Sequence, residues 1–90
     1  MPPDDISSRA RQIHSTSIVF DTHADTPQRF LFEQFDLGHR DAEGGVDIPR
    51  MREGGIGAIF FALWVPVGIT GSRATRRALD LLDAVIEQVR

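Results

Sequence analysis

The stretch Ile18-Val19-Phe20-Asp21-Thr22-His23-Ala24-Asp25-Thr26-Pro27 decides how the chain reads. Ile18, Val19 and Phe20 are bulky or β-branched and the residues after them alternate, so 17–25 predicts a strand. Alternation places Ile18, Phe20, Thr22 and Ala24 on one face and Val19, Asp21, His23 and Asp25 on the other. The first face suits packing on helices. The second grows polar toward the C-terminal end, where α/β barrels keep their chemistry. Residues two apart lie roughly 6.5–7 Å apart along a strand and point the same way, so the His23 imidazole and the Asp25 carboxylate can converge on one metal. A lone His-x-Asp is a weak signal whose bland alternative is a solvated strand end, so the rest of the chain has to weigh in.

Working outward, Asp5 to Ser15 is rich in helix formers, and Ile6, Ala10 and Ile13 recur at helical spacing, which predicts a short helix before the strand. After it, Pro27 suits a helix's first turn with Asp25 or Thr26 as N-cap, predicting a helix from Pro27 to Gln34. The Gly- and charge-rich segment from Asp36 to Val46 reads as an exposed loop. Asp47 caps a helix over Ile48–Glu53, with Pro49 in its first turn and Gly54-Gly55 as the stop signal. Ile56 to Val65 is almost unbroken in apolar residues, as a core strand covered on both faces requires. The last segment opens on a Thr70 or Ser72 cap and carries Ala74, Ala78, Leu81, Leu82, Val85 and Val89 on one helical face.

The order helix, strand, long crossover, strand, helix implies parallel pairing, because no tight hairpin can join parallel strands. The expected fold is therefore α/β, with parallel strands and helices outside. Two strands alone leave two bare edges, and the final helix reaches Arg90 without a capping glycine or proline. The expectation is that residues 1–90 form an incomplete part of one larger domain.

Ninety residues allow a modest core at most, and 41% hydrophobic with 26% charged residues is ordinary for a globular chain. The 10 basic and 13 acidic residues are scattered, without the basic stripe that nucleic-acid binding needs. The absence of cysteine leaves nitrogen and oxygen as the metal ligands available. No basic segment with an apolar core opens the chain, and Ile56 to Ile69 is too short and too interrupted by Pro66 and glycine for a membrane span. A cytoplasmic location is the expectation that follows.

The 18–27 stretch is similar to the opening strand motif of the membrane (renal) dipeptidase family, in which a strand ends in Asp-x-His-x-Asp followed closely by proline. A second block, Val46-Asp47-Ile48-Pro49-Arg50-Met51-Arg52-Glu53-Gly54-Gly55-Ile56-Gly57-Ala58, resembles the family's DIPRLREGGVG segment and leads, as there, into an aromatic strand closing on Val65-Pro66. The resemblance covers nearly the whole chain from Ile18. It implies the first two β/α units of a (β/α)8 TIM-type barrel of the amidohydrolase kind, a zinc-dependent hydrolase of dipeptides. It further implies two zinc ions in the full-length enzyme, His23 and Asp25 as ligands of the first, and attack on the peptide carbonyl by a metal-activated hydroxide. The bridging glutamate, two further histidines and the acidic group that handles the proton are expected downstream, so none of the catalytic groups beyond this pair is expected here. A homodimer is a possibility for the full-length protein.

Asp21 shares the ligand face, where it can orient His23 or simply satisfy nearby backbone donors. His14 and His39 read as surface or partly buried histidines without function, and Arg50 and Arg52 as solvated helix charges. Trp64 lies near the end of the second strand, where its size favours core over pocket wall. Gly54, Gly55 and Gly57 make no phosphate loop, since no G-x-G-x-x-G joins a strand to a helix. Two alternatives stand beside the dipeptidase: another amidohydrolase-type metal hydrolase, though those open with His-x-His where Asp25 stands here, and a truncated, non-catalytic fragment that acts only through association.

Overall fold

In a computed structural model, which describes residues 3–90, the order is α1 (Pro3–Thr16), β1 (Phe20–Ala24), α2 (Pro27–Phe32), α3 (Ile48–Gly54), β2 (Ala58–Phe61) and α4 (Ser72–Val89). The two strands pair in parallel, as the long crossover requires. Among the described residues no helix is long and apolar enough to cross a membrane.

The run Ser15-Thr16-Ser17 ends α1, its hydroxyls bonding back to the last carbonyls: Thr16 Oγ1 to Gln12 O at 2.8 Å and Ser17 Oγ to Ile13 O at 2.5 Å. The helix forms where expected, but its apolar stripe covers nothing, with Ile6 55% and Ile13 57% exposed. What ties α1 down is His14, whose Nε2 lies 2.6 Å from the Gly54 carbonyl at the end of α3.

Both strands are shorter than the apolar pattern predicts. The pairing runs Phe20 to Ala58, Asp21 to Ile59 and Ala24 to Phe61, so three steps along β1 match two along β2. An extra residue of this kind breaks strict alternation. That is why Phe20 is exposed and Ala24 buried although the sequence places them on one face. The expectation of a core strand covered on both faces is corrected in the same region. Phe61 meets the Phe30 ring edge-on at 5.5 Å on one side, while Phe60 is 60% exposed, its ring 6.2 Å from that of Phe20. Trp64, expected in the core, is half exposed.

Pro27 starts α2, with Thr26 as N-cap, and the helix stops at Phe32 because Glu33 turns extended, two residues sooner than the sequence suggests. α2 packs on α4. Leu81 is wholly buried there, with Phe30 nearly so, and the Arg77 guanidinium lies 5.0 Å above the Phe32 ring. The stripe of α4 is only partly used: Ala74, Ala78 and Val85 are half-buried, while Leu82 and Val89 are exposed. Its N-cap is Gly71 rather than Thr70 or Ser72. The cap lies at φ 62°, a conformation glycine adopts without the steric cost a threonine or serine meets.

The segment between α2 and α3 has no regular structure but is firmly tied. Leu37 is buried, and its N–H donates to Gln88 Oε1 at 2.8 Å while Gln88 Nε2 donates to Phe35 O at 2.6 Å. Arg29 on α2 donates to Asp41 at 2.7 Å, to the Gly44 carbonyl at 3.3 Å and to Glu33, and its guanidinium stacks 4.6 Å from the Phe35 ring. Hydrogen bonds from Arg29 first to Glu33 and then to Asp41 raise its already high pKa further.

Asp47 caps α3 as the sequence predicts, accepting the Arg50 N–H at 2.8 Å. It also accepts the Asp41 N–H at 3.0 Å and the Arg50 guanidinium. Arg50 in turn donates to the Asp41 carbonyl at 2.8 Å. This corrects the reading of Arg50 as a solvated charge: it is half-buried and fastens the loop to α3. Burial would raise the Asp47 pKa, but these donors outweigh it and hold the carboxylate down at about 2. Gly55 ends α3 at φ 73°.

Candidate metal centre

His23 and Asp25 lie on either side of Ala24, the last residue of β1. Their side chains turn to the same side: His23 Nε2 stands 3.2 Å from Asp25 Oδ1, with 65% of one side chain and 55% of the other exposed. Asp21 is half-buried and accepts the His23 backbone N–H at 3.0 Å. It fixes the main chain that carries the imidazole and makes no hydrogen bond with the ring.

The turn that follows is buried and hydrogen-bonded. Thr26 is 9% exposed and Pro27 wholly buried, and Gln28 N–H donates to Asp25 O at 3.1 Å. Gln28 Nε2 also donates to the Trp64 carbonyl at 2.8 Å, which joins the end of β1 to the segment beyond β2. The sequence gives no sign of this contact, because an amide on a helix surface has no pattern that names a partner 36 residues away.

The donors suit zinc in kind: an imidazole nitrogen and a carboxylate oxygen. They suit it in spacing as well. Two ligands bonded at about 2.0–2.1 Å across a tetrahedral angle stand about 3.3–3.4 Å apart, and the pair stands 3.2 Å apart. Among the described residues no group of three or more His, Asp or Glu is placed to hold a metal ion. Within this chain the candidate site consists of these two donors.

The other histidines lie elsewhere. His14 is taken up by Gly54, and His39 is exposed on the loop, 2.5 Å from Asp36. The backbone N–H of Gly38 and then His39 hold the Asp36 carboxyl below the usual carboxylate range. An open cleft of about 430 Å³ at the start of α4, lined by Arg73, Arg76 and Arg77 among others, includes neither His23 nor Asp25.

Parallel strands joined by a helical crossover define an α/β chain. The model of the membrane dipeptidase family, peptidase family M19, matches residues 7–90, and the chain belongs to that family. No curated protein matches the chain.

Proposed function

We propose that the chain supplies the first two β/α units of a (β/α)8 barrel that hydrolyses dipeptides with zinc, and that His23 and Asp25 are its contribution to the metal site. The observation that carries the reading is the 3.2 Å separation of His23 Nε2 from Asp25 Oδ1 beside the C-terminal end of β1. That is the end at which barrels of this class place their chemistry. Membership of a dipeptidase family supports the substrate class.

Zinc supplies Lewis acidity and a nucleophile at neutral pH. The chain's own residues do the holding. His23 and Asp25 offer two donors in one direction, with the hydrogen bond between them exchanged for the metal. Asp21 fixes the His23 main chain, and the buried Thr26-Pro27 turn fixes that of Asp25. The remaining ligands and the proton-transferring group belong to later strands of the barrel, so residues 1–90 stand as part of a single domain.

His23→Ala in the full-length enzyme is expected to abolish zinc binding and dipeptide hydrolysis together, measured by metal content and turnover. Retention of both would overturn the assignment. A second reading, association without catalysis, has an observation in its favour: Ile18 is 76% exposed and Val67 92%, beside the exposed Phe20, Phe60 and Trp64. Homogeneous 90-residue protein that turns over dipeptides with zinc supplied would exclude it.

A further inference from the structure

The ladder between the strands ends at the bond from Ala62 N–H to Ala24 O, 2.8 Å long. Past that point Asp25 enters the turn toward α2 and the other segment runs on to Trp64. Among the described residues no backbone hydrogen bond joins the two beyond it. Gln28 spans this gap from α2. Its backbone N–H donates to the Asp25 carbonyl at 3.1 Å, and its side-chain Nε2 donates to the Trp64 carbonyl at 2.8 Å. One residue thus grips the main chain of Asp25 and the main chain that follows β2.

We propose that Gln28 is a positioning residue for the His23 and Asp25 pair: its amide acts as a substitute ladder rung that sets where the Asp25 carboxylate lies relative to the imidazole. The inference rests on the reading of that pair as zinc ligands. The lever is short and stiff. Only Thr26 and Pro27 separate Asp25 from Gln28, both are buried, and the proline ring fixes its own φ, so a shift of Gln28 passes to Asp25 instead of being absorbed between them. The pair has little else to steady it. Both side chains are more than half exposed, and among the described residues each side chain has the other as its side-chain partner.

The test adds zinc ion alone to the 90-residue chain and follows the His23 imidazole signals by NMR. Gln28→Met keeps the length and helix preference of the side chain but cannot donate. It is expected to weaken zinc binding about tenfold, the low end of what loss of a ligand-orienting partner costs, and to shift the His23 ring signals before zinc is added. Gln88→Met is the comparison. It removes a similar amide clamp on Phe35 and Leu37 and is expected to lower the melting temperature while leaving zinc affinity unchanged. Unchanged affinity in Gln28→Met overturns the proposal, as does an equal loss in both variants, which would make the effect one of general stability. His23→Ala separates the two claims. If zinc moves no His23 signal in the unsubstituted chain, or if His23→Ala binds zinc as well as that chain does, the ligand reading itself fails and the role of Gln28 with it.

Discussion

Asp47 concentrates three functions in one carboxylate: it caps α3, anchors the loop at the Asp41 N–H and pairs with Arg50. The folded-state pKa of about 2 lies below the ordinary 3.8, so Asp47 contributes stability above the ordinary value, and that contribution is lost as the pH falls toward 2. Asp47→Asn is therefore expected to flatten the fall in melting temperature with acid between these values. At neutral pH, Asp47→Ala is expected to lower the melting temperature by roughly 5–10 °C through loss of the cap and of the Arg50 partner. Thermal scans by circular dichroism across the pH range check both. The cap was readable in the sequence, because Asp followed by Pro and a Gly-Gly stop is a local pattern. The Arg50 and Asp41 contacts were not, since they depend on how the loop returns to α3.

For the elements, the packing of α2 on α4 centres on Leu81, which is completely buried. Leu81→Ala should cost about 2–5 kcal/mol, measurable as a lower urea midpoint. Leu82→Ala, at a position 42% exposed, should cost much less. A near-equal cost at the two sites would show that the helix packs in another orientation. At the end of α3, a Cβ on Gly55 would lie 2.6 Å from His14 Nε2, and the residue sits at φ 73°. Gly55→Ala should cost about 1–2 kcal/mol for the left-handed conformation alone and also displace His14 from Gly54. Faster amide exchange throughout α1 would report that release. Gly44→Ala, at φ 88° with open space around it, carries the conformational strain without the displacement and should leave α1 unchanged.

On the scale of the whole molecule, Ala24, Phe30, Leu37 and Leu81, with Pro27, make up the small buried apolar core among the described residues, and a dozen large apolar side chains from Ile6 to Val89 stay exposed. On the proposed zinc reading, His23 and Asp25 have no third His, Asp or Glu nearby among the described residues, which would leave most of a coordination sphere to water. The 90-residue chain is accordingly expected to show no measurable dipeptide hydrolysis with zinc supplied, in an assay of released amino acids on homogeneous protein.

Local patterns were enough to establish six features: the helical period of α4, the cap and stop of α3, the proline start of α2, the parallel pairing, the His23-x-Asp25 pair and the family, through two blocks in order. Each depends on residues near one another in the chain, or on a connection length that steric rules constrain. Tertiary structure alone decided the rest. The extra residue in β1 that breaks its alternation, the exposure of Phe60 and Trp64, the burial of Arg50 and the reach of Gln28 to the Trp64 carbonyl all come from how distant segments meet. The His23 and Asp25 side chains stand 3.2 Å apart for the same reason. Backbone geometry puts two alternate residues on one side of a strand, but the distance between their tips is set by the turn, the register and the hydrogen bonds that hold the strand's end.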